Sequence, residues 1–179
     1  AMVFDMIRGL TEWRVWLPLT FEEAVEECDA QLRNSVRSHL LADVPVGAFL
    51  SGGVDSSTVA AMASRASTER LQTFSVGSDD ADFSELPFAR TAARAIKSDH
   101  HEFRVQTDLM LMLPDVVWQM EEPADPHAVG LFQLSEQTRR FVKVALGGDG
   151  GDEMFGGYTR FSRDWRIDKP ISSAASTTF

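Results

Sequence analysis

Val46-Gly47-Ala48-Phe49-Leu50-Ser51-Gly52-Gly53-Val54-Asp55-Ser56-Ser57 joins an apolar run to a helix-forming run through a turn of glycine and hydroxyl residues. That wiring makes an anion cradle. Gly52 and Gly53 let backbone N–H groups approach an anion with no Cβ in the way, and the helix that follows points the positive end of its dipole at the same spot. Ser51, Ser56 and Ser57 add hydroxyl donors, and Asp55 can hold a magnesium ion that bridges phosphate oxygens. No lysine follows the glycines and no Gly-x-x-x-x-Gly-Lys occurs in the chain, so the loop is not built to move a terminal phosphate.

Outward from this turn, helical and strand periodicities alternate. Thr20-Phe21-Glu22-Glu23 has the spacing of a capping box, and Val25, Cys28, Leu32 and Val36 then recur at three- and four-residue steps, which predicts a long amphipathic helix with Cys28 as a small core residue. Residues 46–50 read as a buried strand and the alanine-rich 56–65 as a helix packed closely on a sheet. Residues 71–76 form the next strand, ending at Gly77 and a polar loop, after which Ser84 is expected to cap a helix with Pro87 in its first turn and Phe88, Ala92 and Ile96 on one face. Strands over 101–105 and 142–146 and helices over 109–119 and 131–141 complete the pattern. Strands separated by helices of this length predict an α/β fold, a mostly parallel sheet with helices on both faces. Ligands of such sheets bind at the carboxyl ends of strands, which places Leu50, Val76 and Leu146 on one functional edge.

The strand at 142–146 runs into Gly147-Gly148-Asp149-Gly150-Gly151-Asp152-Glu153-Met154-Phe155-Gly156-Gly157-Tyr158, where glycine and carboxylate are concentrated beyond what a turn needs. Ser-Gly-Gly-Val-Asp-Ser-Ser resembles the pyrophosphate loop of the N-type ATP pyrophosphatases, the PP-loop enzymes. With the second loop and Glu121-Glu122-Pro123-Ala124-Asp125-Pro126 between the two, residues 13–161 resemble the synthetase domain of the glutamine-hydrolysing asparagine synthetase family. The resemblance implies a three-layer sandwich of the adenine nucleotide alpha hydrolase-like (HUP-like) class. It divides the chain into a lead-in segment (1–18), an ATP-pyrophosphatase domain expected to be incomplete at its C-terminus (19–166) and a tail of disordered composition (167–179). The glutaminase half of that family and a downstream lysine near the phosphates find no counterpart here, and Lys169 lies too close to the tail to take the lysine's place.

By the same resemblance, aspartate or another carboxylate attacks the α-phosphorus of ATP, pyrophosphate leaves, and ammonia from a glutaminase domain converts the acyl adenylate to an amide. The implied ATP contacts are Phe49, Leu50, Ser51, Gly52, Gly53, Asp55, Ser56, Ser57, Val76, Gly77, Gly147 and Gly148. Asp55 and Asp152 are the implied Mg2+ ligands. Asp149 matches an acidic position that helps form the adenylate, with a turn aspartate as the plainer alternative. Glu122 is a candidate base for ammonia, and acids closing a helix before Pro123 are the plainer alternative there. Gly147 stands where serine is expected and Gly130 where many relatives carry proline. Relatives that close an amide in a small metabolite or peptide, such as β-lactam synthetases and lasso-peptide cyclases, and a nucleotide-binding module without catalysis remain open alternatives.

Composition narrows the partners. Seventeen basic against 27 acidic side chains give a net charge of −10, which opposes attraction to nucleic acids and anionic membranes. The single cysteine, Cys28, permits no internal disulfide or Cys-x-x-Cys site, and no apolar run reaches membrane-spanning length, so the cytoplasm is expected. Charge and the lack of a second cysteine also disfavour the tRNA-modifying ATP pyrophosphatases. A homo-oligomer stays open. His100 and His101 read as a strand-edge pair, His127 as a helix-start residue, and Trp13, Trp16, Trp118 and Trp165 as core or interface aromatics.

Overall fold

The computed structural model describes residues 19–77, 84–104, 109–121 and 126–159. The chain divides into two compact units, 1–35 and 36–179. Helix α1 (Phe21–His39) begins in the first unit. Its capping box forms as the sequence predicts: the Thr20 N–H donates to Glu23 Oε2 at 2.7 Å and the Glu23 N–H donates to Thr20 Oγ1 at 3.2 Å. Pairs four residues apart, Gln31 with Glu27 and Arg33 with Asp29, brace the exposed side. Cys28 is half-buried.

The second unit is a four-stranded sheet in the order β3-β2-β1-β4, every pairing parallel. Its strands are β1 (Val46–Phe49), β2 (Gln72–Gly77), β3 (Asp99–Arg104) and β4 (Val144–Leu146). Parallel pairing forces a crossover between strands. Helix α2 (Val54–Ala66) follows β1, α3 (Leu86–Ile96) follows β2, and α4 (Leu109–Met120) and α5 (Pro126–Thr138) lie between β3 and β4. A one-turn helix α6 (Gly151–Phe155) follows β4.

Alternation along the strands sorts the core into two faces. Ala48 and Leu50 point toward α2 and α3, where Ala60, Ala63 and Ala93 allow close approach and Leu71 and Val36 close the cluster. Phe74 points the other way, with Phe49, Val76 and Phe103, against Leu134 of α5 and Val142. Phe74 is wholly buried, and burial of such a ring contributes roughly 2–3 kcal/mol. Its ring stacks on His101 at 5.2 Å and packs at 5.7 Å from Phe141. The two histidines thus find core partners. His100 Nδ1 lies 2.9 Å from the buried Thr73 hydroxyl, which also meets Ser98 Oγ at 2.8 Å.

Three expectations shift. Ser84 does not cap α3; Glu85 occupies that position without a side-chain cap bond, and the Ser84 hydroxyl faces Gly77 instead. Helix α5 starts five residues before the expected 131, because Pro126 fits a first helical turn, and it ends at Thr138, releasing Phe141 into the ring cluster. Trp118 is 81% exposed on α4 and is no core residue. Trp13, Trp16, Trp165, Lys169, the lead-in and the tail lie outside the described residues. No helix among the described residues is long and apolar enough to cross a membrane.

Candidate active site

Ser51 to Ser57 leave β1 and enter α2 as a self-bonded turn. Ser51 and Ser56 bring their hydroxyls to 2.8 Å, the Ser51 N–H donates to Ser56 Oγ at 3.2 Å, and the Gly53 N–H donates to Ser51 Oγ at 3.2 Å. Ser75 of β2 steadies the strand end by donating to the Leu50 carbonyl. Gly52 carries a φ of 88°, in the left-handed region that favours glycine, and a Cβ there would come within 2.5 Å of the Ala89 nitrogen. The turn is therefore seated against the start of α3.

The second loop rests on the first through two glycines. A Cβ on Gly148 would meet the Ser56 nitrogen at 2.7 Å and the Asp55 carbonyl carbon at 3.0 Å. A Cβ on Gly151 would lie 2.5 Å from the Asp55 carboxyl carbon. β1 and β4 are neighbours in the sheet, so their carboxyl ends deliver both loops to one place. Asp149 folds its carboxylate back into the space over Gly147, and Asp152 lays its own against Gly157.

Together they line a cleft of 1080 Å³. Of the residues expected to contact a nucleotide, Phe49, Leu50, Ser51, Gly53, Asp55, Ser56, Val76, Gly147 and Gly148 line it, as do Asp149 and Asp152. Gly52, Ser57 and Gly77 do not; Gly52 and Gly77 pack against α3, and the Ser57 hydroxyl is buried with no partner among the described residues. Glu122 lies outside the described residues. Glu153 of the second loop lines the cleft too; unforeseen are Ser75 and Glu85 on the polar side and Phe74, Leu131 and Leu134 on the apolar side. The spacing of Leu131 and Leu134, three apart on a helix, is the signal that could have found the last pair.

The charge of the cleft is one-sided. Asp55, Glu85, Asp149, Asp152 and Glu153 line it, and no lysine, arginine or histidine does so among the described residues. A polyphosphate placed there needs a counter-cation. Magnesium is a hard ion that takes one or two carboxylates and completes its shell with phosphate and water, and Asp55 and Asp152 are carboxylates that line the cleft. Among the described residues no three acidic, histidine or cysteine side chains converge to cage an ion without such ligands.

Behind the cleft, Arg90 of α3 grips Glu102 of β3 with two bonds of 2.7 Å. This holds the Glu102 carboxyl below its ordinary pKa. Burial lowers the pKa of His100, against the opposing pull of Glu102.

Comparison with known proteins agrees with this geometry. The asparagine synthase family model matches residues 27–177. A Mycobacterium tuberculosis protein assigned as an asparagine synthetase (glutamine-hydrolyzing) is 47% identical over 136 residues, covering 75% of this chain and 21% of its own length. Asparagine synthetase (glutamine-hydrolyzing) 1 of Bacillus subtilis is 39% identical over 139 residues, covering 76% and 22%. This chain therefore spans about a fifth of the length of these relatives. Among solved structures, the glutamine-dependent NAD+ synthetase of Acinetobacter baumannii, in complex with ADP, superposes with a TM-score of 0.51 at 19% identity, covering 81% of this chain and 29% of that one, a likeness of fold alone. Both glycine-rich loops fall inside the family match, and the chain belongs to the asparagine synthase family.

Proposed function

We propose that this chain carries the nucleotide-binding part of an ATP-dependent ligase that activates a carboxylate as an acyl adenylate. Aspartate is the acceptor, with asparagine, AMP and pyrophosphate the products. The observation that carries this reading is the interlock of loops 51–57 and 147–153 at the ends of adjacent strands, where they line one cleft. Residues 19–166 make up the nucleotide-binding domain on this reading, with 1–18 as its lead-in and 167–179 as a tail.

Each residue then has a role. The first N–H groups of α2, at Val54 to Ser56, receive the phosphate chain, and the hydroxyls of Ser51 and Ser56, held 2.8 Å apart, give up their mutual bond to donate to it. Asp55 and Asp152 would hold Mg2+, which when bound neutralises charge on the departing pyrophosphate. Phe49, Leu50, Val76, Gly147 and Gly148 take the adenosine. Asp149 orients the acceptor carboxylate or the metal, and Glu122 serves ammonia supplied by a glutaminase domain such as the names of the relatives imply. A carboxylate is a poor acyl donor until it becomes a mixed anhydride, so holding the acceptor in line with the α-phosphorus is the chain's main task.

Isotope exchange between pyrophosphate and ATP tests this reading. Aspartate-dependent exchange is expected; ADP formation, or exchange that ignores every carboxylate offered, contradicts it. Another carboxylate acceptor, of the β-lactam synthetase or lasso-peptide cyclase kind, would use the same nucleotide site. Exchange driven by such a carboxylate and not by aspartate selects it.

A further inference from the structure

β2 outruns its neighbour. It stays paired with β3 as far as Gly77, opposite Arg104, but its last partner in β1 is Phe49, opposite Phe74. In a parallel pair, every second residue of a strand turns both its N–H and its C=O to the same neighbour, bonding one rung back and one rung on. Phe74 follows this rule and accepts the Leu50 N–H on its carbonyl at 2.9 Å. The next rung would run from the Val76 N–H to the Leu50 carbonyl. Among the described residues that bond is absent, and the Ser75 hydroxyl donates to the Leu50 carbonyl in its place.

The consequence is a gap. The two strands part after Leu50, and Leu50, Ser75 and Val76 all line the cleft that opens there. By the alternation of the ladder, the Val76 N–H and C=O point to the side that β1 has vacated. Ser75 is only 3% exposed. A buried hydroxyl needs a partner, and this one is bonded to the atom that would otherwise close the ladder. The hydroxyls farther back do not depend on it, since Thr73 bonds Ser98 and His100. Resting on the nucleotide reading above, we infer that Ser75 is a positioning residue: by taking the Leu50 carbonyl out of the ladder it holds the ends of β1 and β2 apart and keeps the Val76 peptide edge open to the bound nucleotide.

The test is amide hydrogen exchange, read by NMR, of the unaltered chain, Ser75→Ala and Ser75→Thr, beside titration of each with magnesium–ATP and with magnesium–pyrophosphate. In the alanine variant the Leu50 carbonyl passes to the Val76 N–H, so exchange at Val76 is expected to slow roughly tenfold or more. ATP is expected to bind that variant roughly tenfold more weakly, and pyrophosphate, received at the start of α2, as tightly as before. Ser75→Thr keeps a hydroxyl on the same carbon and is expected to restore both readings. Unchanged exchange at Val76 in the alanine variant overturns the inference. So does ATP binding that is unaltered, or lost in step with pyrophosphate as for a merely structural serine. The alanine variant decides the matter alone if the threonine variant melts below it. An unaltered chain that binds no ATP overturns the nucleotide reading and with it the ligand's claim on Val76, whereas slowed Val76 exchange in the alanine variant would still uphold the parting of the strands by Ser75.

Discussion

The two glycine-rich loops occupy one cleft and are built on opposite principles. The first, residues 51–57, is braced from within: the Ser51 and Ser56 hydroxyls and the Ser51 and Gly53 N–H groups bond one another, and Gly52 locks it against α3. The second, residues 147–153, carries three carboxylates and leans on the first through Gly148 and Gly151. A rigid cradle suits an anion whose position must not vary. A carboxylate-bearing loop that takes its position from that cradle suits a metal and a second substrate. One loop brings order and the other brings charge.

Glycine substitutions break this contrast most severely. Gly52→Ala imposes a left-handed backbone on a side chain and drives its Cβ into the backbone of Phe88 and Ala89. It is expected to cost about 3 kcal/mol or more, read as a lower urea midpoint. Gly150 has nearly the same φ, 91°, yet nothing within 4 Å of its Cβ position. Gly150→Ala should therefore cost only about 1 kcal/mol. Equal losses would show that the first loop is not seated as described. Between these lies Gly148→Ala, which pushes the second loop off the first turn of α2 and is expected to cost roughly 1–3 kcal/mol while weakening any Mg2+-dependent nucleotide binding.

A smaller effect probes what stands beneath the first loop. Ser75 bonds the Leu50 carbonyl, and two residues earlier on the same face of β2 Thr73 meets His100. Burial depresses the His100 pKa in the folded chain, so an unfolded chain takes a proton that the folded one refuses. This stability is fully present above the ordinary histidine pKa of about 6.5 and is lost as pH falls from there through the folded value. Denaturant melts between about pH 7.5 and pH 5 should show that decline, and His100→Gln should flatten it. A slope unchanged by the substitution would place the titrating group elsewhere.

Most of the sheet was legible because apolar or alternating runs of strand length are separated by helical periods, and the four strands overlap those runs, β3 starting at Asp99 and β4 at Val144, each two residues from the expected start. Boundaries were less legible where two signals competed. At α3 a serine was available to cap, but Glu85 took the position while Ser84 turned to Gly77. At α5 the apolar spacing from Leu131 hid a helix that Pro126 had already opened. In the site, the hydroxyls and carboxylates could be read from the two loops, since their chemistry is local. Of the apolar wall, Leu131 and Leu134 carry a helical spacing that can be read, whereas Phe74 could not be placed there, because it meets Leu134 only through tertiary packing. Nor does sequence reveal that Gly52, Gly148 and Gly151 are needed for different reasons, one for its backbone angle as well as its packing and two for packing alone.

The central claim is that the first loop cradles pyrophosphate together with a metal held by Asp55. Calorimetric titration of the chain with ATP, with and without Mg2+, beside Asp55→Ala, tests it most directly. Binding that requires Mg2+ and falls roughly tenfold or more in the variant, whose fold is checked by circular dichroism, is the predicted result. Binding by the folded chain that is indifferent to Mg2+ or to Asp55, or no binding at all, would contradict it.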